Sequence, residues 1–159
     1  MRAIGATVLI TALLLVGCSE APVFQADVAI PDGSWDRAYK PSFTFNISDT
    51  LAKHDVYIDV RHTGEYPFSD LFLFVDLEGP GGRHARDTVE CLLAGPTGAW
   101  FGKGQGFIFA DRYKAHVLYK LGDRFPASGT YSVTMEQAMR TEKLTGVLDV
   151  GISVMRSRQ

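Results

Sequence analysis

Residues 41–61 read PSFTFNISDTLAKHDVYIDVR, and the spacing of their apolar side chains decides the fold class. Phe43, Phe45 and Ile47 alternate with Ser42, Thr44 and Asn46, and Val56, Ile58 and Val60 alternate with Tyr57, Asp59 and Arg61. A period of two sends every second side chain to the same face, so each run reads as a strand with one buried face and one wet face. Pro41, the Ser48-Asp49-Thr50 turn and Gly64 bracket the two runs.

The pattern continues outward from there. Leu71-Phe72-Leu73-Phe74-Val75 is apolar on both faces, as a central strand would be, and it ends at the turn Glu78-Gly79-Pro80-Gly81-Gly82. Further strands are expected near Val23–Ala29, Thr88–Leu93, Tyr131–Gln137 and Val147–Met155. Between Trp100 and Leu121 the signal is weakest: glycines break its start, and Tyr113–Tyr119 reads as either a strand or a short helix. No stretch carries a sustained helical stripe. Short strands at regular spacing with Gly/Pro turns define an all-β chain, an antiparallel β-sandwich of jelly-roll-like form. The expected organisation is a leader at 1–17, a segment at 18–30 that includes the first strand, and one sandwich domain at 31–159.

The leader is apolar and short. No residue from Ala3 to Gly17 is charged, and Arg2 precedes the run. As a helix it would reach roughly 22 Å, short of the roughly 30 Å hydrocarbon core, and no basic flank stops it, so it reads as a secretory signal. Leu15-Val16-Gly17-Cys18 fits the lipobox pattern L-x-[GA]-C, cut just before the cysteine. The Cys18 thiol would take a diacylglycerol and the freed amine a further acyl chain. Several chains, at about 0.8 kcal/mol per buried methylene, hold a protein on a membrane where one would not. The other reading is a plain secretory signal with an incidental cysteine.

Removing 17 of the 159 residues leaves 142, enough for one domain with a real core. Arg2 goes with the leader and no acid does, so the net charge moves from −2 to −3, which gives no reason to expect nucleic acid as a partner. With Cys18 acylated, Cys91 has no partner in the chain, and its apolar surroundings make it a small packed hydrophobe.

Motifs for chemistry fail one after another. The cluster Gly102-Lys103-Gly104-Gln105-Gly106 has Thr97 where a P-loop needs glycine and Gly104 where it needs a hydroxyl. A dinucleotide fingerprint would need glycine at Phe107. His54, His62, His84 and His116 have no metal-ligand spacing, and Asp76 with Glu78 shares a strand face without completing a ligand set. Ser128 lacks the nucleophile elbow. No enzyme, cofactor or metal is expected. What remains is aromatic: Tyr66 and Phe68, flanking Pro67, and Trp100-Phe101, beside the glycines. Rings on sandwich loops stack on sugars, anchor a protein partner or plug the ends of the sandwich.

The segments VRHTGEYPFSDLFLFV, DTVECLLAGPTGAWFGKGQG, SGTYSVTMEQAMR and LTGVLDVGISV follow the lipobox in that order. Together they resemble the gliding-motility-associated lipoprotein family GldH of Bacteroidetes, from about Trp35 to Val154. Tyr66-Pro67, the segment from Trp100 to Gly106, and Glu136–Arg140 ahead of Leu144 and Gly146 carry most of the likeness. His62 and Asp70 stand where the family often has asparagine. The resemblance implies a non-catalytic, lipid-anchored envelope protein needed for surface gliding and tied to the machinery that secretes and moves adhesins. It implies a membrane partner, the outer membrane ahead of the inner, on the periplasmic or surface side, and neighbours in the gliding/secretion apparatus. The alternative is a carbohydrate-binding envelope lipoprotein. Tyr66 and Trp100 are the candidate partner-binding residues and Cys18 the lipidation site.

Cys18→Ala is expected to abolish metabolic palmitate labelling and leave uncleaved precursor or soluble protein; labelling that persists refutes the lipobox reading.

Overall fold

The computed structural model describes residues 21–102 and 112–158. The leader, Cys18 and residues 103–107 of the glycine segment lie outside the described residues. The described residues form ten strands: β1 (Phe24–Ala29), β2 (Ser34–Asp36), β3 (Ser42–Ile47), β4 (His54–Thr63), β5 (Asp70–Gly79), β6 (Arg83–Leu92), β7 (Arg112–Asp123), β8 (Gly129–Gln137), β9 (Lys143–Thr145) and β10 (Val147–Arg156). The described residues contain no helix beyond two three-residue 3-10 turns, Pro31–Gly33 and Pro80–Gly82.

The chain folds as one long hairpin bent at Pro80–Gly82, where Gly81 and Gly82 hold φ of 74° and 72°. From that tip the arms pair antiparallel in nested order: β5 with β6, β4 with β7, β3 with β8, β2 with β9, β1 with β10. Two further pairings, β10 with β4 and β5 with β8, roll the hairpin up. The result is two four-stranded sheets, β1-β10-β4-β7 and β3-β8-β5-β6, with β2-β9 as a small third ladder. This is the jelly-roll order of a double-sheet sandwich.

The alternation read from the sequence sets the core. Phe43, Phe45, Leu71, Leu73, Val75, Val133 and Met135 of one sheet meet Ile58, Val60, Val150, Ile152 and Val154 of the other. Burying each such side chain stabilises the fold by about 1.5–3 kcal/mol. Cys91 joins them fully buried, and burial, with Glu90 adding, pushes its thiol up to about 12, so it stays protonated. β5 is central as expected, although Phe72 and Phe74 are only half-buried; the Arg86 guanidinium sits 4.6 Å over the Phe74 ring. Arg86 also pairs with Asp76, so that carboxylate is already engaged.

β10 is the strand closed on both faces. It runs buried from Val150 to Val154, and it is flat against β1 at Gly151. A Cβ there would lie 2.1 Å from Asp27 Oδ1 and 2.5 Å from the Ala26 carbonyl oxygen. Tyr113–Tyr119 is strand, within β7. β2 and β9 are three-residue pieces that no periodicity announces.

The roll gives the sandwich two unlike ends. Phe24 pairs with Val154 and Val154 with Val56, so the chain enters β1 beside the start of β4. The β1–β3, β4–β5 and β8–β10 connections and the described part of the β6–β7 connection, residues 93–102, gather at the other end. The ten residues of β4 separate the two by about 30 Å.

Strand propensity alone says that Gly151→Ala should gain roughly 0.5–1 kcal/mol. The close backbone approach of β1 reverses the sign. A loss of about 1–3 kcal/mol is expected in denaturant unfolding, and a stabilised variant would refute the packing described.

Candidate functional site

Tyr66 and Trp100, 34 positions apart in the chain, come together at the loop end. Their ring centroids are 6.4 Å apart, and between them stands His62 at the end of β4, fully buried, 5.7 Å from Tyr66 and 4.7 Å from Trp100. Tyr113 at the start of β7 closes the cluster, 5.6 Å from His62 and 6.0 Å from Trp100. Edge-to-face and tilted contacts of this kind add about 0.5–1.5 kcal/mol per pair beyond area burial.

The backbone explains why the rings meet. Trp100 sits opposite Ala94 in a small hairpin turned at Gly98 (φ 79°), with Phe101 N–H donating to Leu93 O at 2.7 Å. The β4–β5 loop is held by Gly146, whose N–H donates to Gly33 O (2.9 Å) and whose O accepts from Thr63 N–H (2.8 Å). At φ 90°, a Cβ on Gly146 would come within 2.9 Å of the Tyr66 Cα, so glycine is required for that approach. Beneath, the β2–β9 ladder pairs Trp35 with Leu144, both buried, and the Trp35 indole N–H donates to Tyr39 O at 2.8 Å. The fully buried Gln137 amide donates to Thr141 O and Glu142 O and accepts from Met139 N–H, bracing the β8–β9 loop.

Tyr66 is 2% exposed and its hydroxyl donates to Asp70 O at 2.8 Å. Burial, with Asp70 next, raises its pKa well above the ordinary phenol value. It is a packed pillar under the loop, and it offers no ring face to a partner. Trp100 is half-buried. The exposed rings here are Phe68, in edge contact with Tyr66 at 5.9 Å, and Phe101, at 37% and 46% exposure. The sequence pattern marks both among the loop aromatics but nominates Tyr66 and Trp100 ahead of them, and it misses His62 as the centre of the cluster. A histidine in a polar-looking stretch gives no sign that three rings will surround it.

A second polar cluster lies on the outer face of the β10–β4–β7 sheet. Asp59, 1% exposed, accepts from the Ser153 hydroxyl at 2.7 Å and contacts His116 Nδ1 at 2.7 Å, with Lys114 Nζ 3.9 Å away. The residue types are those of a hydrolase triad, but the carboxylate stands in the middle. The hydroxyl donates to the acid and not to the imidazole, so the nucleophile–base contact is not made. Among the described residues, no group of three or more His, Cys, Asp and Glu could hold a metal ion.

The fold and its loop end define a jelly-roll module with an aromatic cluster at one end. Residues 22–154 match the family model described as GldH lipoprotein, so the chain belongs to the GldH lipoprotein family. It is 31% identical over 153 residues to the gliding motility lipoprotein GldH of Flavobacterium johnsoniae, covering 92% of each chain. It is 29% identical over 154 residues to the gliding motility lipoprotein GldH homolog of Christiangramia forsetii, covering 92% of this chain and 91% of that one. Among solved structures, a family GH115 4-O-methyl-α-glucuronidase with specificity for decorated arabinogalactans matches at TM-score 0.46 and 12% identity. That match covers 99% of this chain and 20% of that one.

Tyr66→Phe is expected to cost about 1 kcal/mol by leaving the Asp70 carbonyl without its donor. Tyr66→Ala should cost about 3–5 kcal/mol by emptying the pillar. Equal, near-zero effects in thermal melts would contradict the packing role.

Proposed function

We propose that this chain is a non-catalytic, lipid-anchored component of the gliding and adhesin-secretion apparatus, held in the outer membrane through Cys18 and docking a partner protein with its loop end. One observation carries the docking part. The chain enters at one end of the sandwich and the aromatic cluster lies at the other, about 30 Å along β4. A domain tethered at the first end holds the second away from the membrane. The names of the relatives support the gliding role.

In this reading the two sequence-nominated residues divide the work. Tyr66 is the fixed support, and Trp100, with Phe68 and Phe101, presents the contact surface. Exposed surface substitutions usually change stability by no more than about 0.5 kcal/mol, whereas truncating a central interface aromatic often costs at least 2 kcal/mol of binding.

Phe68→Ala with Phe101→Ala is therefore expected to leave abundance, lipidation and melting temperature near wild type while gliding and adhesin export fall sharply. Wild-type motility in that double variant would end the docking reading. Binding of the soluble domain to a defined glycan, lost in the same variant, would put the carbohydrate-binding reading in its place.

A further inference from the structure

The sandwich has four edge strands, β1 and β7 in one sheet and β3 and β6 in the other. Long unguarded edges invite further strands, and proteins blunt them with charges, prolines or bulges. β6 carries Arg83, Arg86, Asp87 and Glu90; β7 carries Arg112, Lys114, Lys120 and Asp123; β1 carries Asp27. β3, SFTFNI, carries no charge, no proline and no bulge in its register with β8.

The register also says which of its backbone groups are open. Met135 N–H donates to Pro41 O at 2.9 Å, which makes residues 41 and 135 a hydrogen-bonded pair. With Ser42 opposite Thr134, the bonded pairs alternate, so Phe43, Phe45 and Ile47 bond to β8. The N–H and C=O groups of Ser42, Thr44 and Asn46 point away from it. Those three residues are exposed, and among the described residues no backbone partner answers them.

The gap beside this edge is apolar. Phe24, Ala26 and Val28 of β1 face inward yet remain half-exposed, and Phe24 stacks on Phe45 at 5.3 Å. We propose that the β3 edge is a strand-docking site for an extended, uncharged segment of another protein. Its alternate apolar side chains would cover Phe24, Ala26 and Val28, and its small polar ones would lie beside Ser42, Thr44 and Asn46. Strand addition of this kind takes its affinity from main-chain hydrogen bonds and its specificity from alternate side chains.

A second copy of this chain fits worse. Pairing β3 with β3 antiparallel turns the copy end over end, so the two chains would enter their sandwiches at opposite ends, about 30 Å apart. The six residues from Cys18 to Phe24 reach at most about 21 Å, so two anchored copies whose strands stand upright on one membrane, as proposed above, cannot pair this way. That step rests on the anchored reading; the open edge does not.

The test uses the full chain in detergent and a synthetic peptide of residues 41–48, PSFTFNIS, with blocked termini, which is uncharged and has the required alternation. Amide exchange at Ser42, Thr44 and Asn46 is expected to slow by about tenfold or more at saturating peptide, with Phe43 and Phe45 unchanged. A peptide with lysine at both phenylalanine positions should give no protection. Thr44→Pro removes one open donor without touching the ladder to β8 and should abolish protection at an unchanged melting temperature; Thr44→Lys, which cannot break the backbone, should weaken it. Absence of protection, or protection on β1, β6 or β7 instead, overturns the proposal. Protection of the same amides without peptide, together with a dimer in sedimentation, overturns the choice of occupant.

Discussion

The pairing of β10 against β4 turns a flat nested hairpin into a sandwich. Without it β1-β10 and β4-β7 would remain separate ladders, with no continuous second layer to bury Ile58, Val60, Val150 and Ile152. The pairing joins residues almost a hundred positions apart, so its loop-closure cost is large and must be met by apolar burial along its whole length. That explains the composition of β10, buried from Val150 to Val154. It also explains Gly151: with β1 on one side and β4 on the other, the middle of the strand has no room for a side chain beneath Asp27.

Closing both faces of a central strand brings polar groups under cover. Asp59, Asp149 and Ser153 all lie on the solvent-facing side of the sheet and are nonetheless buried by their long neighbours. Each is answered: Asp59 by Ser153, His116 and Lys114, and Asp149 by Arg61. A buried carboxylate without such partners would cost several kcal/mol or give up its charge. The cluster is accounted for by sheet packing, and its hydrolase-like composition carries no catalytic geometry.

The fold was legible where a strand had one wet face. β3 alternates cleanly because one of its faces is solvated, β4 because its outer face is polar, and the antiparallel sandwich follows from such runs. The signal failed where both faces are polar and exposed, or where the strand is too short. The first half of β6, Arg83–Asp87, is exposed almost throughout, so only its last residues looked like a strand. β2 and β9 are too short for any period and exist because the roll sets Trp35 against Leu144. The candidate site was half legible. Aromatic residues in loops marked Tyr66 and Trp100, but only the nested topology says that they share an end, and only the Asp70 hydrogen bond says that Tyr66 faces inward.

This last distinction bears on what the family likeness records. Among the residues that carry it, Tyr66, Gln137 and Gly146 fix the loop end: a buried phenol, a buried amide with three backbone contacts, and a glycine whose absent side chain lets two loops touch. Phe68, one of the rings a partner would meet, is not among them, whereas Phe101 lies within the Trp100–Gly106 segment that is. Positive φ, close backbone approach and full burial each admit few residue types, so they leave a strong imprint on sequence. An exposed ring on a loop is constrained only by what it touches. A loop end of this kind can keep one shape while its contact rings change, and kinship read from the braces is therefore evidence for a shared platform before it is evidence for a shared ligand.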